Sequence, residues 1–302
     1  MLKAGRLGLR GVKMEIVKTI AQVRESVAAA RRAGRPTAFV PTMGAFHAGH
    51  LELMRRAKAG EGLESAQAPF VIISIFVNPT QFGPGEDYRS YPRDLAGDAE
   101  QARQVGVDLI FAPSVEEMYP PGDSTIVEVG RLGEGMCGAF RPGHFRGVAT
   151  VVCKLLNIVQ PDAAYFGMKD YQQLRIIERT VEDLRSATKI VRVPTVREAD
   201  GLAMSSRNAY LSPEERRAAP TLYRGLNAAR QRLAQGERSA ATLIEAVREV
   251  VAEEPRLSLE YVELRDGESL EAIERVERPA VLALAARLGR SRLIDNIILQ
   301  VP

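Results

Sequence analysis

Three histidines occur in the chain, and two of them stand three residues apart in Pro41-Thr42-Met43-Gly44-Ala45-Phe46-His47-Ala48-Gly49-His50, directly after a short apolar run. An apolar run followed by glycines reads as a buried strand that turns into a helix. The free N–H groups and dipole of a helix N-terminus attract anions. Glycine lets backbone approach a phosphate closely, and two imidazoles there donate to phosphate oxygens whose charge grows in a transition state. The same spacing also serves a pair of capping or surface histidines, or half of a metal site. A zinc centre needs further ligands, and only His144 and the distant Cys137 and Cys153 are on offer. Neither the phosphate loop ending in Gly-Lys-Ser/Thr nor the dinucleotide fingerprint is present.

Other segments carry compatible chemistry. Gly167-Met168-Lys169-Asp170 lies between a strand-like run and a helix-like one, which suits Lys169 to an anion or equally to the solvated surface. Val196-Arg197-Glu198-Ala199-Asp200-Gly201-Leu202-Ala203-Met204-Ser205-Ser206-Arg207-Asn208 is polar, and its two hydroxyls and arginine fit a mobile phosphate clamp or an ordinary interdomain linker. Gln81 follows the strongest apolar run, Phe70–Val77, so its amide should point into the crevice beyond that strand, where it can donate and accept. Gln173, one turn after Asp170, can face it; either glutamine also reads as a solvated polar residue. Arg141-Pro142-Gly143-His144-Phe145-Arg146-Gly147 is a basic, bendable loop or simply the turn before a helix.

The elements that must position these groups follow from periodicity. Thr19 caps a helix with Ile20, Val23 and Val27 on its apolar side; Thr37–Val40 is a strand; a helix covers roughly 50–59. Phe70–Val77 is a strand, Asp94 caps a helix through Val105, and Leu109–Ala112 is a third strand before a capped turn at Ser114. A helix over Gly147–Val159, a strand over Ala163–Phe166, a helix over Tyr171–Leu184 and a strand over Lys189–Val193 complete the alternation. This pattern predicts an α/β fold, a Rossmann-like, doubly wound parallel sheet with ligands beyond the carboxyl ends of its strands. Ser212-Pro213-Glu214-Glu215 then opens a long amphipathic helix to about Gln235, and a second spans about Ser239–Glu253. Strand-like runs at Leu257–Arg265, Ala280–Ala286 and Leu293–Leu299 close a smaller α+β domain. The expected organisation is a basic, disordered extension over 1–13, with Met14 as functional start, a Rossmann-like domain over 14–195, and a smaller C-terminal α+β domain over 196–302.

Composition limits the partners. Of 302 residues 45% are apolar, and 41 Lys+Arg against 38 Asp+Glu leave a formal charge of +3, which excludes intrinsic disorder. That charge permits anionic ligands, and without a long basic patch interleaved with aromatics it argues against a nucleic-acid surface. No run of about 18 apolar residues reads as a membrane span. Two cysteines form no disulfide framework and suit a reducing, cytoplasmic setting.

Six segments in order, PTMGAFHAGH, SIFVNPTQF, YPRDL, RPGHFRGVATVVCKLLNIVQPD, YFGMKDYQQL and PTVREADGLAMSSRNAYLS, closely resemble the pantothenate synthetase (pantoate–β-alanine ligase) family from about Met14 onward. The His-x-Gly-His element also resembles that of the wider nucleotidyltransferase superfamily. The resemblance implies that pantoate carboxylate attacks the α-phosphate of Mg-ATP, giving pantoyl adenylate and pyrophosphate, and that β-alanine then expels AMP. It implies ATP contacts at Met43, Gly44, Ala45, Phe46, His47, Ala48, Gly49 and His50, with His50 as proton donor and His47 and Lys169 assisting. Gly167, Met168, Lys169, Asp170, Val196, Met204, Ser205, Ser206 and Arg207 match further ATP positions. Gln81 matches a contact to pantoate and β-alanine, Gln173 a pantoate contact, and Asp98 an acidic residue near Mg²⁺. Met168 replaces the usual Glu or Gln, and Gly97 stands where a second acid can occur. A homodimer is implied as well. The competing expectations are a nucleotidyltransferase with another acceptor, against which Gln81, Gln173 and VREADGLAMSSR speak, and a non-catalytic nucleotide- or RNA-binding protein.

Overall fold

The computed structural model describes residues 14–301; the expected extension over 1–13 lies outside them. In chain order the elements are β1 (Glu15–Val17), α1 (Ile20–Arg32), β2 (Thr37–Thr42), α2 (Ala48–Lys58), β3 (Phe70–Ile75), α3 (Leu95–Val105), β4 (Leu109–Phe111), α4 (Val115–Met118), α5 (Met136–Phe140), α6 (His144–Val159), β5 (Ala163–Gly167), α7 (Tyr171–Asp183) and β6 (Lys189–Val193). These are followed by α8 (Pro213–Ala218), α9 (Thr221–Ala234), α10 (Ala240–Ala252), β7 (Leu257–Asp266), β8 (Ala280–Leu288) and β9 (Ser291–Leu299).

The first six strands form one parallel sheet in the order β1-β4-β3-β2-β5-β6. Consecutive side chains of a strand face opposite sides, and both sides are covered. Phe39 and Ile72 pack with α1, α6 and α7, whereas Val40 and Ile73 pack with Met54 of α2 and Ala102 of α3. From β2 the chain winds outward through β3 and β4, then returns to β5 on the other side of β2. The gap between the carboxyl ends of β2 and β5 is therefore the topological switch point, where such sheets open a crevice.

The last three strands form an antiparallel sheet, β7-β8-β9. Its middle strand alternates in the same way: Leu282, Leu284 and Ala286 pack with α9 and α10, while Val281 and Ala283 join the core of the larger sheet. Apolar residues on both sides of β8 thus tie the two sheets together.

Local chemistry sets most element boundaries. Thr19 and Gln22 form a reciprocal capping box at α1, and Ser212 and Glu215 do so at α8. Asp94 caps α3 by accepting the Gly97 N–H at 2.9 Å. A Cβ at 97 would stand 2.3 Å from the Asp94 carboxylate, which explains glycine there in local terms. Two expectations are corrected. The single helix from 213 to 235 is divided, because Pro220 has no N–H to donate and its ring crowds the preceding turn. Strand β1 was not foreseen, since three residues are too few to show a period. In addition, α6 begins at His144 rather than Gly147, after Gly143 turns the chain with a φ of 78°. No helix among the described residues is long and apolar enough to cross a membrane.

Candidate active site

At the switch point a cavity of about 230 Å³ is lined by Met43, His47, Gly49 and His50 after β2, and by Gly167, Lys169, Asp170 and Gln173 after β5. Val196, Met204, Ser205, Ser206 and Arg207 line a third side, and Gln81 a fourth. A larger cavity of about 520 Å³ adjoins it, sharing Lys169, Asp170, Gln173, Ser205 and Arg207 and extending to β9.

The histidine loop reaches this place through an unusual backbone. Gly44 and Ala45 both have positive φ, 82° and 52°, a region in which a non-glycine residue is strained. Asp98 of α3 holds the turn: one carboxylate oxygen accepts the Ala45 N–H at 2.9 Å and the other the Phe46 N–H at 2.7 Å. Asp98 is 3% exposed and does not line the cavity. Burial pushes its carboxyl above the usual range, against the pull of the two N–H bonds. Both of its oxygens are thus engaged by the loop backbone. Among the described residues no group of three His, Cys, Asp or Glu side chains could hold a metal ion.

His47 caps α2, its Nδ1 accepting the Gly49 N–H at 3.1 Å. A neutral imidazole has one donor and one acceptor nitrogen, so Nε2 carries the proton. The His50 ring lies 4.2 Å from it, centroid to centroid, with Nδ1 buried and unpartnered. Burial and then Lys169 lower His47 to about 4. Burial, His47 and Lys169 lower His50 to about 3. Both rings are therefore neutral donors at pH 7. An anion beside the rings would shift both toward the protonated form.

Gln81 ends a short 3-10 turn, Pro79–Gln81, and is 9% exposed. Asn78 donates to its Oε1 at 3.1 Å, and Asn78 is itself held by the Tyr119 hydroxyl at 2.9 Å. The Gln81 Nε2 meets only the Met43 sulfur, at 3.2 Å, a weak acceptor that a ligand oxygen can replace. The Gln81 carbonyl accepts from His144 Nδ1 at 2.8 Å. This tautomer follows from Arg141, which donates to His144 Nε2 at 2.9 Å and is clasped by Glu86. Burial and the Arg141 charge lower His144 to about 4. The turn packs so closely on α6 that a Cβ at Gly147 would lie 2.4 Å from the Thr80 carbonyl oxygen.

The structure thus brings together His47, His50, Gln81, Lys169, Gln173 and the 204–207 segment. Gly44, Ala45, Phe46, Ala48 and Met168 do not line the 230 Å³ cavity; they belong to the segments that shape it. Residues 205–207 do not form a clamp without partners: Ser205 caps the short helix Ser206–Tyr210, and Arg207 is paired with Asp87. Met43 and Phe76, apolar residues at the ends of β2 and β3, form part of the cavity wall, and sequence reasoning missed the rest of it, Val148, Val151, Val152 and Leu155. The last four recur at helical spacing on one side of α6, a signal present in the sequence. Asn78, Tyr91 and Thr195 were also missed as lining residues.

A site of this composition can stabilise charge on phosphate oxygens with neutral imidazoles and cations, and can orient a small polar acid with amides against an apolar wall.

Comparison with known proteins agrees with this geometry. The family model for pantoate-beta-alanine ligase matches residues 15–298. The chain is 55% identical to pantothenate synthetase of Pelotomaculum thermopropionicum, over 95% of this chain and 99% of the relative. It is 53% identical to that of Moorella thermoacetica, again over 95% and 99%. Among solved structures, pantothenate synthetase of Thermus thermophilus superposes with a TM-score of 0.86 at 47% identity, covering 96% of this chain and 100% of the other. The pantoate-beta-alanine ligase of Francisella tularensis, described as complexed with beta-gamma ATP and beta-alanine, gives 0.77 at 33% identity, covering 95% and 98%. The chain belongs to the pantoate–β-alanine ligase family.

Proposed function

We propose that this protein joins pantoate to β-alanine in an ATP-dependent reaction, with the cavity between β2 and β5 as its active site. The observation that carries the reading is the convergence of His47 and His50, at the start of α2, with Gln81, Gln173 and Lys169 around one cavity. Family membership supplies the reaction, and the residues supply a physical account of it.

The carboxylate of pantoate is a poor acylating agent. Attack of a carboxylate oxygen on the α-phosphorus of ATP forms a P–O bond, breaks the bond to the β-phosphate oxygen and releases pyrophosphate. The mixed anhydride that results has AMP as leaving group. The β-alanine nitrogen then attacks the acyl carbon, the C–O bond to AMP breaks, and a proton leaves the nitrogen. Transfer at phosphorus asks mainly for positioning and charge stabilisation. In our reading the N–H groups of His47 and His50 donate to the phosphate, Lys169 and Arg207 balance its charge, and Gln81 and Gln173 orient pantoate. Magnesium bound with the nucleotide would be held by the phosphates and would neutralise their charge, with both Asp98 oxygens occupied by backbone. We place the boundary between the two domains near Thr195, after the last strand of the larger sheet.

The test supplies ATP, Mg²⁺, pantoate and β-alanine and measures pantothenate and AMP. Equal amounts of both, with pyrophosphate released from ATP and pantoate alone, support the reading. AMP formation independent of pantoate overturns it.

A further inference from the structure

The two segments assigned to the triphosphate are anchored by neighbouring residues of the other sheet. Asn296 on β9 is 6% exposed, and its Nδ2 donates to the carbonyls of Met168 at 3.0 Å and Lys169 at 2.7 Å. Asp295, 4% exposed, receives two N–H groups of Arg197 at 2.6 and 2.8 Å. Arg197 in turn donates to the Gly201 carbonyl at 3.0 Å and to the Asn296 carbonyl at 3.2 Å. It also bridges to Ala203, and the next N–H, of Met204, reaches the Val196 carbonyl at 2.9 Å. Ser205 and Arg207 follow directly.

We propose that Asp295 and Asn296 are positioning residues that set Lys169 and the Ser205–Arg207 segment at a fixed distance from each other, so that both meet one triphosphate. Neither residue lines the 230 Å³ cavity itself. Asn296 suits the role because one amide nitrogen carries two hydrogens, one for each carbonyl. A carboxylate of the same shape has none and turns a negative oxygen toward both. Asp295 suits it because a planar guanidinium and a carboxylate match in two parallel bonds, which fixes an angle as well as a distance. The inference rests on the reading that ATP occupies this cavity.

Calorimetric titration of the whole protein with a non-hydrolysable ATP analogue and, separately, with pantoate tests it, alongside thermal unfolding. In N296D two hydrogen bonds are lost, and the analogue should bind about tenfold more weakly or worse. Pantoate affinity should fall clearly less, because Gln81 is held through Asn78 and His144 instead and only Gln173 follows the Lys169 loop. Asp295→Asn keeps the shape, weakens the grip on Arg197, and should show the same selective loss; it carries the test if N296D fails to fold. Equal weakening of both ligands in step with a lower unfolding temperature, or unchanged analogue affinity, overturns the positioning role. Absence of analogue binding to the unsubstituted protein would instead overturn the ATP reading beneath it.

Discussion

Arg207 and Asp87, 120 residues apart, form a two-pronged ion pair, with Nε to Oδ2 at 3.0 Å and Nη2 to Oδ1 at 2.9 Å. The carboxylate occupies the guanidinium edge that a phosphate would use, since carboxylate and phosphate present the same paired oxygens. The Tyr91 hydroxyl lies 3.4 Å from that of Ser206 and Tyr210 donates to the Ser90 carbonyl at 3.2 Å, so the whole segment is moored to residues 87–91.

In the proposed site, nucleotide competes with Asp87 for Arg207. Both side chains are about a quarter exposed, and such a pair contributes roughly 0.2–1 kcal/mol. Asp87→Asn should lower the apparent KM for ATP by about two- to fivefold, with the KM for pantoate unchanged. Initial rates at varied ATP measure this. A raised KM for ATP would mean that Asp87 prepares Arg207 for phosphate instead of withholding it.

His50→Ala should slow adenylate formation by about 10²–10³-fold, as is typical when one transition-state donor is removed. Its ring lies beside that of His47, and its buried Nδ1 has no partner among the described residues. Pyrophosphate release from ATP and pantoate, without β-alanine, isolates the step, and circular dichroism verifies the fold. Turnover near that of the unsubstituted protein would remove His50 from the chemistry.

All three histidines are held neutral, His47 and His144 lowered to about 4 and His50 to about 3. Unfolded, each takes up a proton near pH 6.5. The unfolded state thus binds more protons as pH falls below that value, and stability declines with it. The contribution is complete above about 6.5 and is lost progressively toward the folded values. The urea midpoint should fall between pH 7 and 5, a window above most carboxylate titration. Replacing His144 by Gln should flatten that slope. A midpoint independent of pH across the window would contradict neutral burial.

Much of the site was legible because its parts are short and local. The His47–His50 spacing, the strand before it and the helix after it occupy one run of chain, and the caps at Thr19, Asp94, Ser114 and Ser212 act over three residues. The periodic cores of the larger sheet were legible for the same reason. What stayed hidden depends on tertiary approach. Asp98 carries an acid's chemistry in sequence, but only the fold reveals that it meets the Ala45 and Phe46 N–H groups. The Asp87–Arg207 pair and the bonds from Asn296 to the Lys169 loop span more than a hundred residues with no local mark. Pro220 is the sequence mark of the break between α8 and α9, and the amphipathic pattern on both sides of it hides that break.

In the proposed site, substrate choice rests on Gln81 and Gln173, which line one cavity from separate elements. Pantoate presents a carboxylate and two hydroxyls around a gem-dimethyl carbon. Its recognition calls for neutral groups that both donate and accept, set against an apolar surface. The glutamines supply the first, and Val148, Val151, Val152 and Leu155 of α6 the second. A lysine at either position would hold the carboxylate more firmly in the ground state, which lowers KM without helping the chemical step. Gln81 is prepared for its role: Asn78 and His144 fix its amide oxygen and its carbonyl, while its Nε2 rests on the Met43 sulfur. Exchanging that sulfur for a pantoate oxygen replaces a weak acceptor by a strong one. Gln81→Ala and Gln173→Ala should each weaken pantoate by about 1–3 kcal/mol, since a ligand group is left unpaired in a partly dry crevice. ATP should change much less, because its proposed contacts come from Lys169, the 204–207 segment and the histidine loop. Apparent Michaelis constants for both substrates in both variants decide the matter. If ATP weakens and pantoate does not, the glutamines serve the nucleotide and pantoate lies in the adjoining 520 Å³ cavity, which Gln173 also lines.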